Sequence, residues 1–214
     1  MSARSGTLPP ILSFTAPEVV PGEILSGDTT EGVLLTGSLD GLDLSSTTLL
    51  ECELDGVTLS DARLIGARIV ETLVTAPFAT KLVAGRTTWR DVRVTNPRWG
   101  LAEIYDSELT SVHIVGGKID YLNLRDSRLT SVLLEGCQIG ELDLRMTRME
   151  RVAVRDCRVG TIELDRSRSR SVDIRNSDFE VVNGLEGLRG VTIDDGQLAA
   201  FAPLFAQHLG IVVE

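Results

Sequence analysis

The chain has 214 residues, 43% of them hydrophobic, which is enough for one domain with a sizeable core. Its formal net charge of −10 argues against direct binding to nucleic acid, because phosphates repel an acidic protein. No apolar run approaches the length of a membrane-spanning helix, so we expect no membrane protein.

The first 31 residues form a segment that differs from the rest of the chain. It contains four prolines and lacks a basic stretch followed by an apolar one, so it does not resemble a secretion signal, and we expect a cytoplasmic protein. Many of its side chains are too apolar for a free tail, and we therefore predict a strap or cap for the first coil. These apolar residues are Leu8, Ile11, Leu12, Phe14, Val19, Val20, Ile24 and Leu25.

A period of five residues organises the chain from 32 to 193. Counted in steps of five from Leu34 to Phe179 there are 30 positions, and 27 of them hold a large apolar residue. The exceptions are Ala79, Ala84 and Ser169, so we expect a weak or irregular stretch at 75–100. Because this period fits neither a helix nor a simple strand, it predicts a solenoid whose chain turns a corner every five residues.

This unit resembles that of the pentapeptide-repeat family, in which a small residue, a polar one and a central Leu or Phe precede two variable polar residues. Ala62 to Gly66, Ser127 to Ser131 and Ser177 to Phe179 match it. The resemblance covers about 150 residues. It implies an all-β solenoid of pentapeptide repeats, a right-handed quadrilateral β-helix with four pentads per coil.

Four pentads per coil would stack residues that are twenty apart. Leu50 and Val70 then lie on one outer face, as a candidate surface for the N-terminal strap. The position two residues before each central residue points inward too, and it alternates between small residues and larger ones such as Leu122 and Leu142. This alternation predicts that two opposite sides of each coil carry the larger inner side chains, so that the sides interdigitate.

The predicted outer surface carries opposite charge at its two ends. Between Ser5 and Ala62 there are ten acidic residues and no lysine or arginine. We predict an acidic surface there, formed by Asp40, Asp43, Glu51, Glu53, Asp55 and Asp61.

The later coils are rich in arginine. Arg128, Arg148 and Arg168 are twenty apart and form a predicted column, with Arg125 and Arg145 across the adjacent corner. Acidic residues, Asp143 and Glu150 among them, interleave with this outer arginine stripe. Two interpretations stay open: a solvated ladder of ion pairs, or a stripe that binds phosphate or acidic groups.

Cysteine and histidine form no recognisable reactive site. Cys52, Cys137 and Cys157 all occupy the small inward position, which predicts buried free thiols in a reducing compartment. His113 is predicted to point outward, and neither it nor His208 has zinc spacing or the partners of a catalytic triad. We therefore predict a protein that is not an enzyme and has no cofactor or metal. Ser169, a polar residue at a central position, should leave a thin or wet spot in the core.

The last 21 residues, 194–214, predict a short C-terminal α-helix. Asp194 has the character of an N-cap, Pro203 predicts a kink and Gly210 a stop. The helix should cap the last coil, whose strand edge would otherwise be open. We also predict a homodimer interface here, which the family resemblance suggests, through Leu198, Phe201, Leu204, Phe205 and Leu209.

Two functions remain open. The first is a protein-interaction scaffold with an unknown partner. The alternative, implied by the family resemblance, is a DNA-mimicking modulator of DNA gyrase or another type II topoisomerase, of the kind that blunts quinolone action. The acidic composition favours this alternative, whereas the arginine stripe interrupts the continuous negative surface that mimicry needs.

Overall fold

Parallel strands build a solenoid in which the chain returns to the same face about every twenty residues. The structure is a computed structural model that describes residues 26–213 and the backbone of Glu18–Val19. Its strands are β1 (Glu18–Val19), β2 (Thr29–Glu31), β3 (Leu34–Ser38), β4 (Thr48–Leu50), β5 (Glu53–Thr58), β6 (Arg68–Thr75), β7 (Phe78–Val83), β8 (Thr88–Thr95), β9 (Arg98–Glu103), β10 (Glu108–Val115), β11 (Lys118–Asn123), β12 (Arg128–Glu135), β13 (Gln138–Asp143), β14 (Arg148–Arg155), β15 (Arg158–Glu163), β16 (Arg168–Arg170), β17 (Val172–Asp173), β18 (Asp178–Asn183) and β19 (Val191–Thr192). A 3-10 helix (Leu185–Leu188) and the α-helix α1 (Asp195–His208) complete the described chain.

The stacking of the coils confirms the predicted all-β solenoid with a C-terminal helix. There are about eight turns. From β6 to β15 each strand pairs in parallel with the strand two further along, twenty residues away, as Leu109 pairs with Leu129. Leu124, Leu144 and Leu164 are all buried, one coil apart. The central residues therefore form continuous inner columns.

The corners of the coils use left-handed backbone conformations. Among residues 26–213, eighteen non-glycine residues have a positive φ, and all of them stand two places after a central position. Glycine is thus not required at a corner, since Arg86 (φ 58°) and Met146 (φ 58°) adopt the same turn. Each such residue costs about 1–2 kcal/mol. The hydrogen-bonded ladder and the buried core must offset this cost, coil after coil.

The first coil departs from the predicted phase. Leu35 is buried and pairs with Leu54, whereas Leu34 is only half-buried and pairs with Glu53. The register changes from nineteen to twenty residues between Thr36 and Ser38, where the ladder is irregular. The prediction that Leu34 starts the inner column is therefore wrong. The regular phase begins at Leu39.

The structure does not show the irregular coil that we expected at 75–100. Strands β7, β8 and β9 keep the twenty-residue register of their neighbours. Ala79 pairs with Trp99 on the next coil, and Trp89 lies half a coil away, so the two large indoles provide the volume that Ala79 lacks. The sequence pattern is weak here because large and small side chains are arranged differently among the inner positions, and not because the coil is broken.

The second inward position follows the predicted alternation of sizes. On two sides of the coil this position holds larger buried residues, such as Val132, Leu142 and Val152. On the other two sides it holds small residues, most of them with a hydroxyl or thiol group. Those small side chains accept hydrogen bonds from the coil below: the amide of Ser107 donates to the Ser127 hydroxyl over 3.0 Å, and the amide of Cys157 donates to the Ser177 hydroxyl over 3.1 Å. Backbone donors that the strands leave unpaired are satisfied in this way.

Ser169 marks the point where the solenoid closes. It lies above Met149, but the next coil places the 3-10 helix over it in place of a strand. The Ser169 hydroxyl donates a 3.2 Å hydrogen bond to the carbonyl oxygen of Gly187. A polar residue suits this position because a carbonyl of the closing helix faces it.

Helix α1 covers the end of the solenoid. Phe201 is 3% exposed and packs edge-to-face on Phe179, with ring centroids 6.4 Å apart. Gln197, which no sequence pattern singles out, donates to the carbonyl oxygens of Ile174 (2.6 Å) and Ser177 (2.8 Å). Asp194 is the N-cap and forms a capping box with Gln197. The helix runs through Pro203 and ends before Gly210.

The predicted N-terminal strap lies mostly outside the described residues. Within the described part, Glu18–Val19 pairs in parallel with Leu34–Leu35, and β2 pairs with β4, so strand pairing begins before residue 32. On the proposed docking surface, Val70 is buried and Leu50 is half-buried.

Candidate interaction surfaces

Three arginines stand in register on one outer face, and we call them the arginine ladder: Arg128, Arg148 and Arg168. They lie on β12, β14 and β16, each directly opposite the next. All three are exposed, and no carboxylate within residues 26–213 forms an ion pair with them. Neighbouring strands are about 4.8 Å apart, so three positive charges occupy about 10 Å of the surface.

Arg125 and Arg145, predicted as the other part of the stripe, are held by a buried carboxylate. Asp143 is 0% exposed and accepts hydrogen bonds from the amide of Arg145 (3.1 Å), from its guanidinium (Nε, 2.9 Å) and from the Tyr121 hydroxyl (2.9 Å). Arg125 Nε lies 3.9 Å from the same carboxylate. The expectation of a solvated ion-pair ladder is therefore wrong at Asp143, and Arg125 and Arg145 belong to a structural cluster.

The titration behaviour of this cluster follows from its geometry. Burial alone would raise the pKa of Asp143, but the hydrogen bonds from Arg145 and Tyr121 outweigh burial and keep that pKa below its ordinary value. Burial and the neighbouring Asp143 raise the pKa of Tyr121 to about 12. The carboxylate is thus ionised and the phenol neutral over the physiological range.

A local sequence pattern marks such clusters. Asp173 binds the amide and the guanidinium of Arg175 as Asp143 binds Arg145, with Asp173 Oδ1 accepting from the amide over 3.1 Å. Each carboxylate stands one place before a central residue and each arginine one place after it. The spacing Asp-x-Arg across an inward residue was visible in the sequence, whereas its burial was not.

The six predicted acidic residues are distributed over several faces. Glu53 is half-buried and the other five are exposed. The next coil places Arg63 beside Asp43 and Thr75 beside Asp55. Glu51 is different: Glu71 and Asp91 follow it at the same corner in the twenty-residue register of β4, β6 and β8. The structure thus brings one acidic column together, not a continuous acidic face.

The five apolar residues predicted for a dimer interface separate into two groups. Phe201 is buried, and Leu204 and Phe205 are half-buried against the core. Leu198 is 51% and Leu209 is 70% exposed. Three further residues share that exposure at the end of the chain: Ile211, Val212 and Val213. We call the exposed set, Leu198, Leu209, Ile211, Val212 and Val213, the apolar end.

The thiols are free and buried, and one histidine is more buried than its position in the repeat suggests. Cys52, Cys137 and Cys157 are free and buried. The hydrogen bond to Cys157 and burial raise the pKa of the Cys137 thiol. His113 is 2% exposed, although it occupies an outward position of the repeat, so that position does not make it a surface residue. Its Nε2 lies 2.9 Å from Glu135 Oε2, and burial lowers the pKa of the ring despite that contact.

Comparison with known families agrees with the repeat seen in the coils. The family model described as pentapeptide repeats matches residues 38–73, in eight copies. The same unit continues at the same register through β18. The chain contains pentapeptide repeats.

Solved structures of other pentapeptide-repeat proteins resemble this one at low sequence identity. A trypsin-treated form of QnrB1, a plasmid-mediated fluoroquinolone resistance protein, is 19% identical, with a TM-score of 0.44 over 94% of this chain and 100% of its own. HetL, involved in heterocyst differentiation regulation in the cyanobacterium Nostoc sp. strain PCC 7120, is 16% identical, with a TM-score of 0.28 over 80% of this chain and 91% of its own. No curated protein matches the sequence.

The surfaces of the solenoid provide charge and shape. Among its described residues, no three histidine, cysteine, aspartate or glutamate side chains come together as a metal site. The helix of the described part is not of a length and hydropathy that would cross a membrane. What the described surface offers is a column of free cations, a column of acids and an apolar end.

Proposed function

We propose that this pentapeptide-repeat protein is a non-enzymatic, cytoplasmic interaction scaffold that forms a homodimer through its apolar end. The observation that carries the proposal is the gathering of large exposed apolar side chains at one tip of the rod, where Leu209 and Val212 are 70% and 82% exposed. Phe201 already caps the core. The need to cover the core therefore does not explain why the residues of the apolar end are apolar and exposed.

The rest of the surface supports binding to a protein by charge and shape. Strand pairing holds each outward column at a fixed spacing, so a partner meets a rigid pattern that needs little ordering on binding. The three buried free thiols are consistent with a reducing compartment. A dimer joined at the C-terminal end would carry two such patterns, one on each rod.

Charge at the apolar end should abolish the dimer. We expect the intact chain to sediment as a dimer and the variant Leu209→Glu with Val212→Glu as a monomer, because two buried carboxylates in an apolar interface are strongly unfavourable. Analytical ultracentrifugation at several protein concentrations measures this. Phe201 and Phe205 are unsuitable for the test, because their rings pack into the cap.

A matched control is available on the side of the rod. Phe78 is also a large exposed apolar residue, 43% exposed, but it lies far from the C-terminal end in β7. Phe78→Glu should leave the dimer intact. A wild-type monomer at every concentration, or a dimer that survives both glutamates, would contradict the proposed interface.

A second candidate function is modulation of a type II topoisomerase such as DNA gyrase. The column formed by Glu51, Glu71 and Asp91 favours it, because regularly spaced carboxylates present negative charge as a nucleic-acid backbone does. Arg90 forms ion pairs of 3.9 Å with both Glu71 and Asp91 and partly neutralises the column. The same corner continues as Ser111, Ser131 and Arg151, so the negative column ends after three coils. This short reach makes the scaffold the preferred proposal.

Supercoiling by purified gyrase tests the second candidate. If the column mimics DNA, micromolar protein should inhibit supercoiling, and a variant with Glu51→Gln, Glu71→Gln and Asp91→Asn should lose most of that inhibition. Inhibition that is equal for both proteins would assign the effect to another surface. Unchanged supercoiling with the wild-type protein would remove this candidate.

A further inference from the structure

We propose that the arginine ladder binds an acidic stripe on an α-helix of the partner protein. The inference rests on the proposed function of an interaction scaffold and names the chemistry of what is bound. Three guanidinium groups in register, each exposed and outside any ion pair of residues 26–213, form its basis.

Stacking three arginines has an energetic cost that a bound anion would relieve. Like charges placed directly opposite on neighbouring strands repel each other. On one neighbouring column Glu150 is already engaged, since it accepts a 2.6 Å hydrogen bond from Arg151 and lies 4.0 Å from Arg170. On the other side, Asp106 and Asp126 line a depression together with Arg128 and Arg148, but among the described residues they form no ion pair with the ladder. Glu108 stands below Arg128 in the same column and limits the ladder to three rungs.

The ladder borders a shallow groove that follows the solenoid axis. Three successive coils line this 240 Å³ depression, with the ladder on one side and Thr130, Glu150 and Arg170 on the other. A ligand in the groove would therefore lie along the rod and meet the three guanidinium groups in turn. Each guanidinium can hold a carboxylate through two parallel hydrogen bonds.

The spacing of the rungs selects the ligand. The three rungs span about 9.6 Å, and an α-helix with acids at i, i+4 and i+7 presents them over about 10.5 Å, close to two turns. An extended peptide repeats its side chains on one face about every 6.8 Å, so its third carboxylate would fall about 4 Å beyond the third arginine. The helix matches the rungs better.

The overall charge argues against a long polyanion. A nucleic acid in the groove would continue past Arg128 towards Glu108 and the acidic early coils, in a protein of net charge −10. A helix with three carboxylates confines its negative charge to the length of the ladder. The ladder is therefore suited to a short acidic stripe.

The full-length protein can be tested with a synthetic probe. The probe is an alanine-rich helical peptide with glutamates at i, i+4 and i+7, and its control has the same composition with the glutamates spread around the helix. Fluorescence anisotropy at low salt should show binding of the first peptide and at least about tenfold weaker binding of the second. Arg148→Gln should weaken binding of the first peptide by about tenfold, and glutamine at all three rungs should abolish it.

Arg158→Gln is the matched control, because Arg158 is exposed on β15, on a different column of the rod. It should leave peptide binding unchanged. Equal binding of both peptides, or equal losses with Arg148→Gln and Arg158→Gln, would overturn the proposal. Tighter, ladder-dependent binding of a single-stranded oligonucleotide would also overturn it and assign the ladder to nucleic acid. Sedimentation of the same variants separates the two proposals, since the dimer does not depend on the ladder.

Discussion

Replacing Gly117 with alanine should lower the free energy of unfolding by about 4 kcal/mol. This is the largest effect we expect from a substitution that removes no existing contact. Gly117 has φ +78°, a conformation that alanine adopts at a cost. A Cβ added there would lie 2.6 Å from the backbone nitrogen of Pro97 on the preceding coil, and closer still to its carbonyl oxygen. Backbone of a stacked coil cannot move aside without breaking the ladder. Urea denaturation followed by far-ultraviolet circular dichroism measures the loss.

Gly136→Ala is the control that separates strain from collision. Gly136 also has a positive φ, +63°, but no atom lies within 4 Å of an added Cβ. This substitution should therefore lower the free energy of unfolding only by the cost of the positive φ, about 1 kcal/mol. Similar losses at both positions would show that the contact with Pro97 does not limit the stacking of the coils.

Truncation of Phe201 to alanine should destabilise the protein by about 3–5 kcal/mol and open the end of the solenoid. The ring is buried, and it contacts Phe179 below and Phe205 beside it, at 6.4 Å and 6.3 Å between centroids. Its removal leaves a cavity between α1 and the last coil. Thermal unfolding should shift to lower temperature, and light scattering should report association of the exposed strand edge.

Leu198→Ala provides the comparison on the same helix. Leu198 is half exposed, so its truncation should cost less than about 1 kcal/mol and should not raise light scattering. If Phe201→Ala behaves like Leu198→Ala, the helix is not the element that closes the solenoid. The Gln197 contacts to Ile174 and Ser177, together with the packing of Leu204 and Phe205, would then hold α1 on the coils.

The candidate surfaces could be predicted only in part. The arginine ladder follows from twenty-residue spacing, and the structure places its three members in register. The same spacing grouped Arg125 and Arg145 with them, yet both are turned to Asp143. Asp143 is held by Tyr121 and Arg125 from the preceding coil together with Arg145 from its own coil. The sequence of one coil does not contain that information.

The period by itself determined the path of the chain from Leu39 to Phe179, because the inward or outward direction of a side chain is a property of the local backbone. A large apolar residue every fifth place is enough to specify which side faces the core. The tertiary structure alone decided that His113 and Asp143 are buried, that Leu35 and not Leu34 begins the inner column, and that Phe201 belongs to the cap while Leu209 remains outside. These outcomes depend on how side chains far apart in sequence, brought together by stacking, fill the same space.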